Sequence, residues 1–294
     1  MKKILCVGQV AYDITLLVDE YPEENKKSRI KGYVECAGGS AFNSAYLLNS
    51  WGVDTTFVGT IGNDYYGSKI EEEIKECNMK AELTKLDGFT TTSYIITNIN
   101  KGTRTILTNK NLELKSQKFT NYNYDLIVLD SNEIDLSLEI VKKYPNAIKI
   151  LDAGKLCDEV LELGKYVDYF VCSKDFAEKF TDIKLDNEEN IRKAYDLIEK
   201  SFNKKIVITL ESMGSFTKEN DKYVLVPSIK VKAVDSTGAG DIYHGAFAYF
   251  ISKGNNILDV MRYANIAGAL SVKKIGSKAS VPKLEDVIME AEII

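Results

Sequence analysis

The residues of this 294-residue chain best suited to chemistry lie in Val234-Asp235-Ser236-Thr237-Gly238-Ala239-Gly240-Asp241. Gly238 and Gly240 allow a tight turn whose N–H groups converge, and the small apolar residues 242–250 read as a helix that starts at that turn. A helix N-terminus of this kind is an anion site, because free N–H donors and the positive end of the dipole point the same way. Asp241 suits a bound anion poorly, since a carboxylate repels phosphate. It suits a general base that takes a proton from a hydroxyl while the turn holds charge developing on a transferred phosphoryl group. The other reading is a loop followed by an N-cap, a position that favours aspartate for structural reasons alone.

A second glycine pair, Gly38-Gly39, precedes Ser40-Ala41-Phe42-Asn43. The glycines permit close backbone approach to a ligand, and the Asn43 amide can both donate to and accept from a sugar hydroxyl. A plain glycine loop before a helix is the alternative. Asp13 is expected just past the carboxyl end of a buried first strand over residues 3–7, where open α/β sheets place their ligands; a turn cap is the alternative there.

Elements that could position these groups follow in order. Residues 41–51 and 66–77 read as helices around a strand at 55–60. Residues 91–97 and 103–107 are rich in β-branched side chains and flank Asn98-Ile99-Asn100-Lys101-Gly102, a hairpin signal. Beyond Asp125, strands at 126–129, 148–151, 169–172 and 206–210 alternate with amphipathic segments at 136–143, 157–163 and 188–202, the pattern of a doubly wound sheet. A hairpin at 215–217 and 223–226 leads to the central turn, and 257–274 reads as a further helix. The expected fold is α/β, a Rossmann-like, mostly parallel sheet flanked by helices with a small β-sheet beside it.

Composition narrows the function. Hydrophobic residues make up 45% and charged residues 28% of the chain, as in globular domains. A net charge of −5 argues against a nucleic-acid binder. Cys6, Cys36, Cys77, Cys157 and Cys172 form no Cys-x-x-Cys pair, so neither a zinc site nor a disulfide framework is indicated, which fits a cytoplasmic protein. No stretch has the apolar length of a membrane span. Lys26, Lys27, Arg29 and Lys31 read as a solvated edge or a basic flap over an anionic substrate.

The stretch Asp235 to Asp241 closely resembles the C-terminal signature of the PfkB, or ribokinase-like, carbohydrate kinases, and Gly38-Gly39-Ser40-Ala41-Phe42-Asn43 resembles that family's N-terminal Gly-Gly-x-x-x-Asn motif. The resemblance covers essentially the whole chain as one kinase domain. It implies ATP-dependent phosphorylation of a sugar hydroxymethyl group. Asp241 would be the catalytic base, and Gly238, Ala239 and Gly240 the anion hole. Asp13, Gly38, Gly39 and Asn43 would hold the sugar. It also implies a β-lid built from about 13–35 and 90–108, which pairs between subunits in many relatives. Arg104 could reach substrate from that lid or form a cross-strand ion pair. On the nucleotide side it points to Ser173, Thr209, Gly214 and Asn265, the last beside small residues that would admit an adenine ring or simply pack. Asp235, Thr237 and Ser280 of the loop 276–280 would hold a monovalent cation, potassium, and magnesium would bridge the phosphates.

Departures from the family pattern bear on substrate. Ser40 stands where ribokinases carry lysine. Ser173-Lys174-Asp175-Phe176 replaces Asn-x-x-Glu, as in the ketohexokinase-like branch, and leaves magnesium to be positioned by Asp175 or Glu178. Glu211 replaces the first glycine of Thr-x-Gly-x-x-Gly. A ketose or sugar derivative is therefore the expected acceptor. A nucleoside kinase, stacking a base on Tyr12 or Phe42, and a non-catalytic sugar binder are the alternatives. No Walker-type loop, no Gly-x-Gly-x-x-Gly after the first strand and no Gly-x-Ser-x-Gly elbow is present, and His244 is the sole histidine, which excludes a multi-histidine metal site.

Overall fold

The computed structural model describes residues 2–112, 119 and 123–293. In chain order these form β1 (Lys3–Val7), β2 (Ala11–Val18), β3 (Gly32–Gly38), α1 (Ser40–Ser50), β4 (Asp54–Gly62), α2 (Tyr65–Glu76), β5 (Lys80–Leu86), β6 (Thr92–Asn98), β7 (Thr103–Asn109), β8 (Leu126–Leu129), α3 (Ile134–Lys143), β9 (Ile148–Ala153), α4 (Asp158–Leu163), β10 (Tyr169–Ser173), α5 (Lys174–Thr181), α6 (Glu188–Phe202), β11 (Lys205–Thr209), β12 (Ser215–Glu219), β13 (Lys222–Val226), α7 (Ala239–Ser252), α8 (Ile257–Ser271) and α9 (Leu284–Ile293).

The larger sheet runs β13-β12-β11-β10-β9-β8-β1-β4-β5. Neighbours from β5 to β11 are parallel, and β12 and β13 close one edge as an antiparallel hairpin. Parallel strands are covered by helices on both faces, which is why they read as unbroken apolar runs. In β1, Ile4 and Cys6 face one core with α1, α7 and α8, whereas Leu5 and Val7 face a second core with α3, α4, α5 and α6. The chain leaves β1 toward β4 and β5 on one side and returns through β8 on the other. Strand order thus reverses at β1 and β8, and the carboxyl ends of strands at such a switch point are where open α/β sheets bind their ligands.

The smaller sheet runs β3-β2-β6-β7, with β2 antiparallel to β3 and parallel to β6. Asp13, expected just past the carboxyl end of the first strand with a turn cap as the alternative, is the third residue of β2, paired with Cys36 and Ser93 on its flanks. Gly8 to Val10 therefore suffice to carry the chain from one sheet to the other. β5, α5 and α9 arise where no element is expected. β5 is an edge strand whose charged residues alternate with apolar ones, so its apolar signal is half that of a buried strand. Lys26 and Lys31 form exposed ion pairs with Glu23 and Asp19, in keeping with a solvated edge.

Candidate active site

The site grows from the start of α7. Gly238, at φ 75, takes the left-handed conformation that favours glycine, and no side chain caps the helix. By contrast α2, α5, α6 and α8 are capped by Asp64, Ser173, Asn187 and Asn256. Asp241 is the third residue of α7, not its cap, so the capping alternative fails. Its carboxylate instead accepts a hydrogen bond from Asn43 Nδ2 at 2.7 Å.

Packing explains how two distant motifs meet. A Cβ at Gly245 would lie 3.1 Å from the backbone of Ser44, so glycine lets α1 approach α7 closely. Ser44 Oγ then donates to the Asp241 carbonyl at 2.9 Å, which joins the N-terminal turns of the two helices. Partial burial and the negative charge of Asp152 push the Asp241 carboxyl up to about 6, against the Asn43 bond and His244, which lower it. That value suits a base working near neutral pH.

Asp13 enters from the smaller sheet. It is 6% exposed, and burial, with the charges of Asp241, Asp235 and Glu73, pushes it up to about 7; a bond to Ser93 opposes the shift. The glycine pair is a steric requirement. A Cβ at Gly38 would stand 2.0 Å from Asp13 Oδ2, and one at Gly39, where φ is 107, would stand 2.6 Å from the Gln9 carbonyl.

Asp130 joins this group without having been singled out in the sequence. It directly follows β8, is buried, and accepts from the N–H groups of Gln9 at 2.8 Å, Asn132 at 2.8 Å and Ala41 at 3.2 Å. It thereby caps the start of α1, whose own N-cap is Gly39. Burial raises the Asp130 carboxyl, while the bonds from Gln9 and Asn132 lower it. Gly8 must be glycine here, since its Cβ would fall 2.2 Å from that carboxylate. Its place at a strand's carboxyl end was the available signal.

Several contacts tie the smaller sheet to the rest of the molecule. Arg104, on the exposed strand β7, donates to Ser236 Oγ inside the glycine turn, and it forms no ion pair among the described residues. Lys110 Nζ donates to Asn132 Oδ1 at 2.9 Å, and the hairpin glycine Gly102 abuts the Ala233 carbonyl. Asp64, which caps α2, accepts from the Thr90 N–H at 3.1 Å and so ties that helix to the entry of β6.

Of the residues expected on the nucleotide side, Ser173 and Thr209 are register partners at the ends of β10 and β11. Ser173 Oγ caps α5 and donates to the Gly154 carbonyl at 3.0 Å, and Thr209 Oγ1 donates to the Cys172 carbonyl at 3.3 Å. Gly214, at φ 107, lies against the Val226 carbonyl. Glu211 keeps a left-handed φ of 55, the conformation of the glycine it replaces. Asn265 is buried and donates to the Val226 carbonyl at 2.9 Å, which supports its packing role.

Asp235 is 1% exposed and accepts from Thr237 N at 2.9 Å, Thr237 Oγ1 at 2.7 Å and Gly276 N at 3.0 Å. These bonds join the turn to the loop 276–280, in which Ser280 Oγ donates to the Ser277 carbonyl at 2.7 Å. Among the described residues no ion pair reaches Asp235, a buried carboxylate whose oxygens suit a hard cation. Asp175 pairs with Lys179 at 2.8 Å, and Glu178 accepts from Leu185 N at 2.9 Å and Lys184 at 3.2 Å, so both carboxylates are engaged within their own surroundings. No cluster of three or more His, Cys, Asp or Glu able to hold a metal ion occurs among the described residues.

Known proteins share this arrangement of sheets and helices. The model of the pfkB family carbohydrate kinase matches residues 1–284. The chain is 27% identical over 301 residues to a ribokinase of Lactococcus lactis, covering 98% of this chain and 96% of that one. It is 24% identical over 304 residues to a nucleoside kinase of Methanocaldococcus jannaschii, covering 99% and 97%. The crystal structure of the Thermotoga maritima ribokinase superposes with a TM-score of 0.85 at 25% identity, over 99% of this chain and all of that one (100%).

Proposed function

Because the chain belongs to the pfkB family of carbohydrate kinases, we propose that it transfers the γ-phosphoryl group of ATP to a hydroxymethyl group of a small sugar, a ketose or sugar derivative. One observation carries this reading: Asp241 is held by Asn43 within the first turn of a helix that no side chain caps.

Asp13 and Asn43, with the backbone at Gly38 and Gly39, orient the sugar so that its reacting hydroxyl meets Asp241. Asp241 takes the hydroxyl proton as the new bond forms. The N–H groups of Ala239 and Gly240, at the positive end of α7, stabilise the charge on the group in transit. ATP supplies that group, with magnesium to neutralise its oxygens. Ser173, Thr209 and Gly214 border the nucleotide, and Asp235, Thr237 and the loop 276–280 hold a potassium ion that steadies the turn. The smaller sheet acts as a lid, with Arg104 joining it to the glycine turn.

The aromatic residues that a nucleoside kinase would use are already engaged. Tyr12 stacks on Tyr66 at 4.9 Å, and Phe42 meets Phe57 edge to face at 5.4 Å. Both are buried, which favours a sugar over a nucleoside. The lid's outer face exposes Tyr33 (63%), Tyr94 (41%) and Leu107 (57%), an apolar patch suited to pairing lids in a homodimer. The five cysteines are all unpaired, as in a cytoplasmic protein.

The test is ADP release, with magnesium and with or without potassium, against fructose, ribose, fructose 6-phosphate, a sulfonated ketose and adenosine. Release that depends on one of the sugars supports the reading. Release only with adenosine would replace it with nucleoside phosphorylation.

A further inference from the structure

His244, the only histidine of the chain, is enclosed behind the proposed base. It lies three residues after Asp241 in α7 and is 4% exposed. Nδ1 is 2.7 Å from the Gly240 carbonyl and 3.5 Å from Asp152 Oδ2, and Nε2 is 3.4 Å from the Val171 carbonyl of β10. All three of these partners are oxygen acceptors. A neutral imidazole carries one N–H and one lone pair. Whichever nitrogen lacked its proton would turn that lone pair against an oxygen lone pair, with almost no solvent to relieve it.

Burial alone would disfavour a charged ring, but here both N–H groups have acceptors and a carboxylate stands beside the ring, the conditions under which a buried charge persists. Among the described residues no lysine or arginine forms an ion pair with Asp152 or Asp241. β9 brings Asp152, the end of β8 brings Asp130, and α7 itself carries Asp241. α1 brings the uncharged Asn43 and Ser44, and α8 brings Gly268 close to Tyr243. Burial raises the Tyr243 phenol and the Cys172 thiol of β10, so both stay neutral.

We propose that His244 is a buried imidazolium paired with Asp152, a positioning residue whose charge offsets Asp152 and Asp130 and keeps Asp241 ionised. Its effect on turnover rests on the reading of Asp241 as base. Its protonation does not.

Because the chain has one histidine, 15N-histidine labelling gives one ring to observe by NMR, without substrate. At about pH 7.5, where a free imidazole is mostly neutral, both ring nitrogens are expected to show the protonated pattern. One bare nitrogen at that pH would overturn the proposal, whatever the enzyme phosphorylates. Asp152→Asn is expected to strip the second proton at the same pH, and a ring that stays doubly protonated would contradict the pairing. In His244→Gln the acid limb of the kcat/KM profile is expected to move up by roughly one pH unit, as for loss of one nearby opposite charge. A limb that stays in place while activity falls uniformly would reduce His244 to packing and sink the proposal. If the variants fail to fold, the NMR pattern of the unaltered protein decides alone.

Discussion

At Asp13 the protein holds a carboxylate in a strand where burial and three other carboxylates oppose its charge. Such a group weakens the fold, a cost in keeping with the sugar contact proposed for it. Its folded value of about 7 lies above the ordinary 3.8, so the folded state binds the proton more tightly. The stability this confers is complete below 3.8 and is lost as pH rises through 7. Asp13→Asn is therefore expected to raise unfolding free energy by about 2 kcal/mol near pH 8 and by little near pH 4, while the sugar response disappears. Denaturant melts at the two pH values check this, and a destabilised variant at pH 8 would contradict it. Asp241 and Asn43 were legible in the sequence because each sits in a short glycine motif whose chemistry is local. Asp130 was not, since its importance arises only when Gly8, Gln9 and Ala41 fold around it from elsewhere in the chain.

Element by element, α7 shows how a glycine can be required by chemistry and not by the fold. A Cβ at Gly240 would meet nothing within 4 Å. Gly240→Ala is thus expected to gain about 0.5–1 kcal/mol from better helix propensity. Turnover should nevertheless fall roughly 100-fold, because the methyl group enters the space of the transferring group beside the N–H donors. Thermal melts and turnover measured together would refute this if both stayed unchanged. The turn after β11 presents the opposite case. Glu211 holds a φ of 55 that glycine adopts freely, so Glu211→Gly should stabilise by about 0.5–1 kcal/mol in a chemical melt. The parallel strands and the helices between them could be read from the sequence, since apolar runs and amphipathic periods are local signals. The edge strand β5 could not, because its exposed face dilutes the run. Nor could the true place of Asp13, which depends on β2 pairing with β3 and β6 at once.

Two sheets of unequal size compose the whole molecule, and its cleft borrows groups from both: Asp241 and Asn43 from the helices on the larger, Asp13 from the smaller. Arg104 and Lys110 bind the smaller sheet down at Ser236 and Asn132. If the lid's apolar face pairs two chains, Leu107→Asp should yield a monomer by sedimentation, since an unpaired charge would be buried at the interface. An unchanged oligomer would place any interface elsewhere. The proposed reaction, phosphoryl transfer to a sugar by way of Asp241, draws on all of these parts at once. The most direct measurement is turnover of the Asp241→Asn variant on the best sugar of the panel, beside its ATP affinity by calorimetry. Turnover is expected to fall by about 1,000-fold with ATP binding nearly intact, because the base is lost and the anion hole is kept. Turnover within a few fold of the unaltered protein would contradict the account.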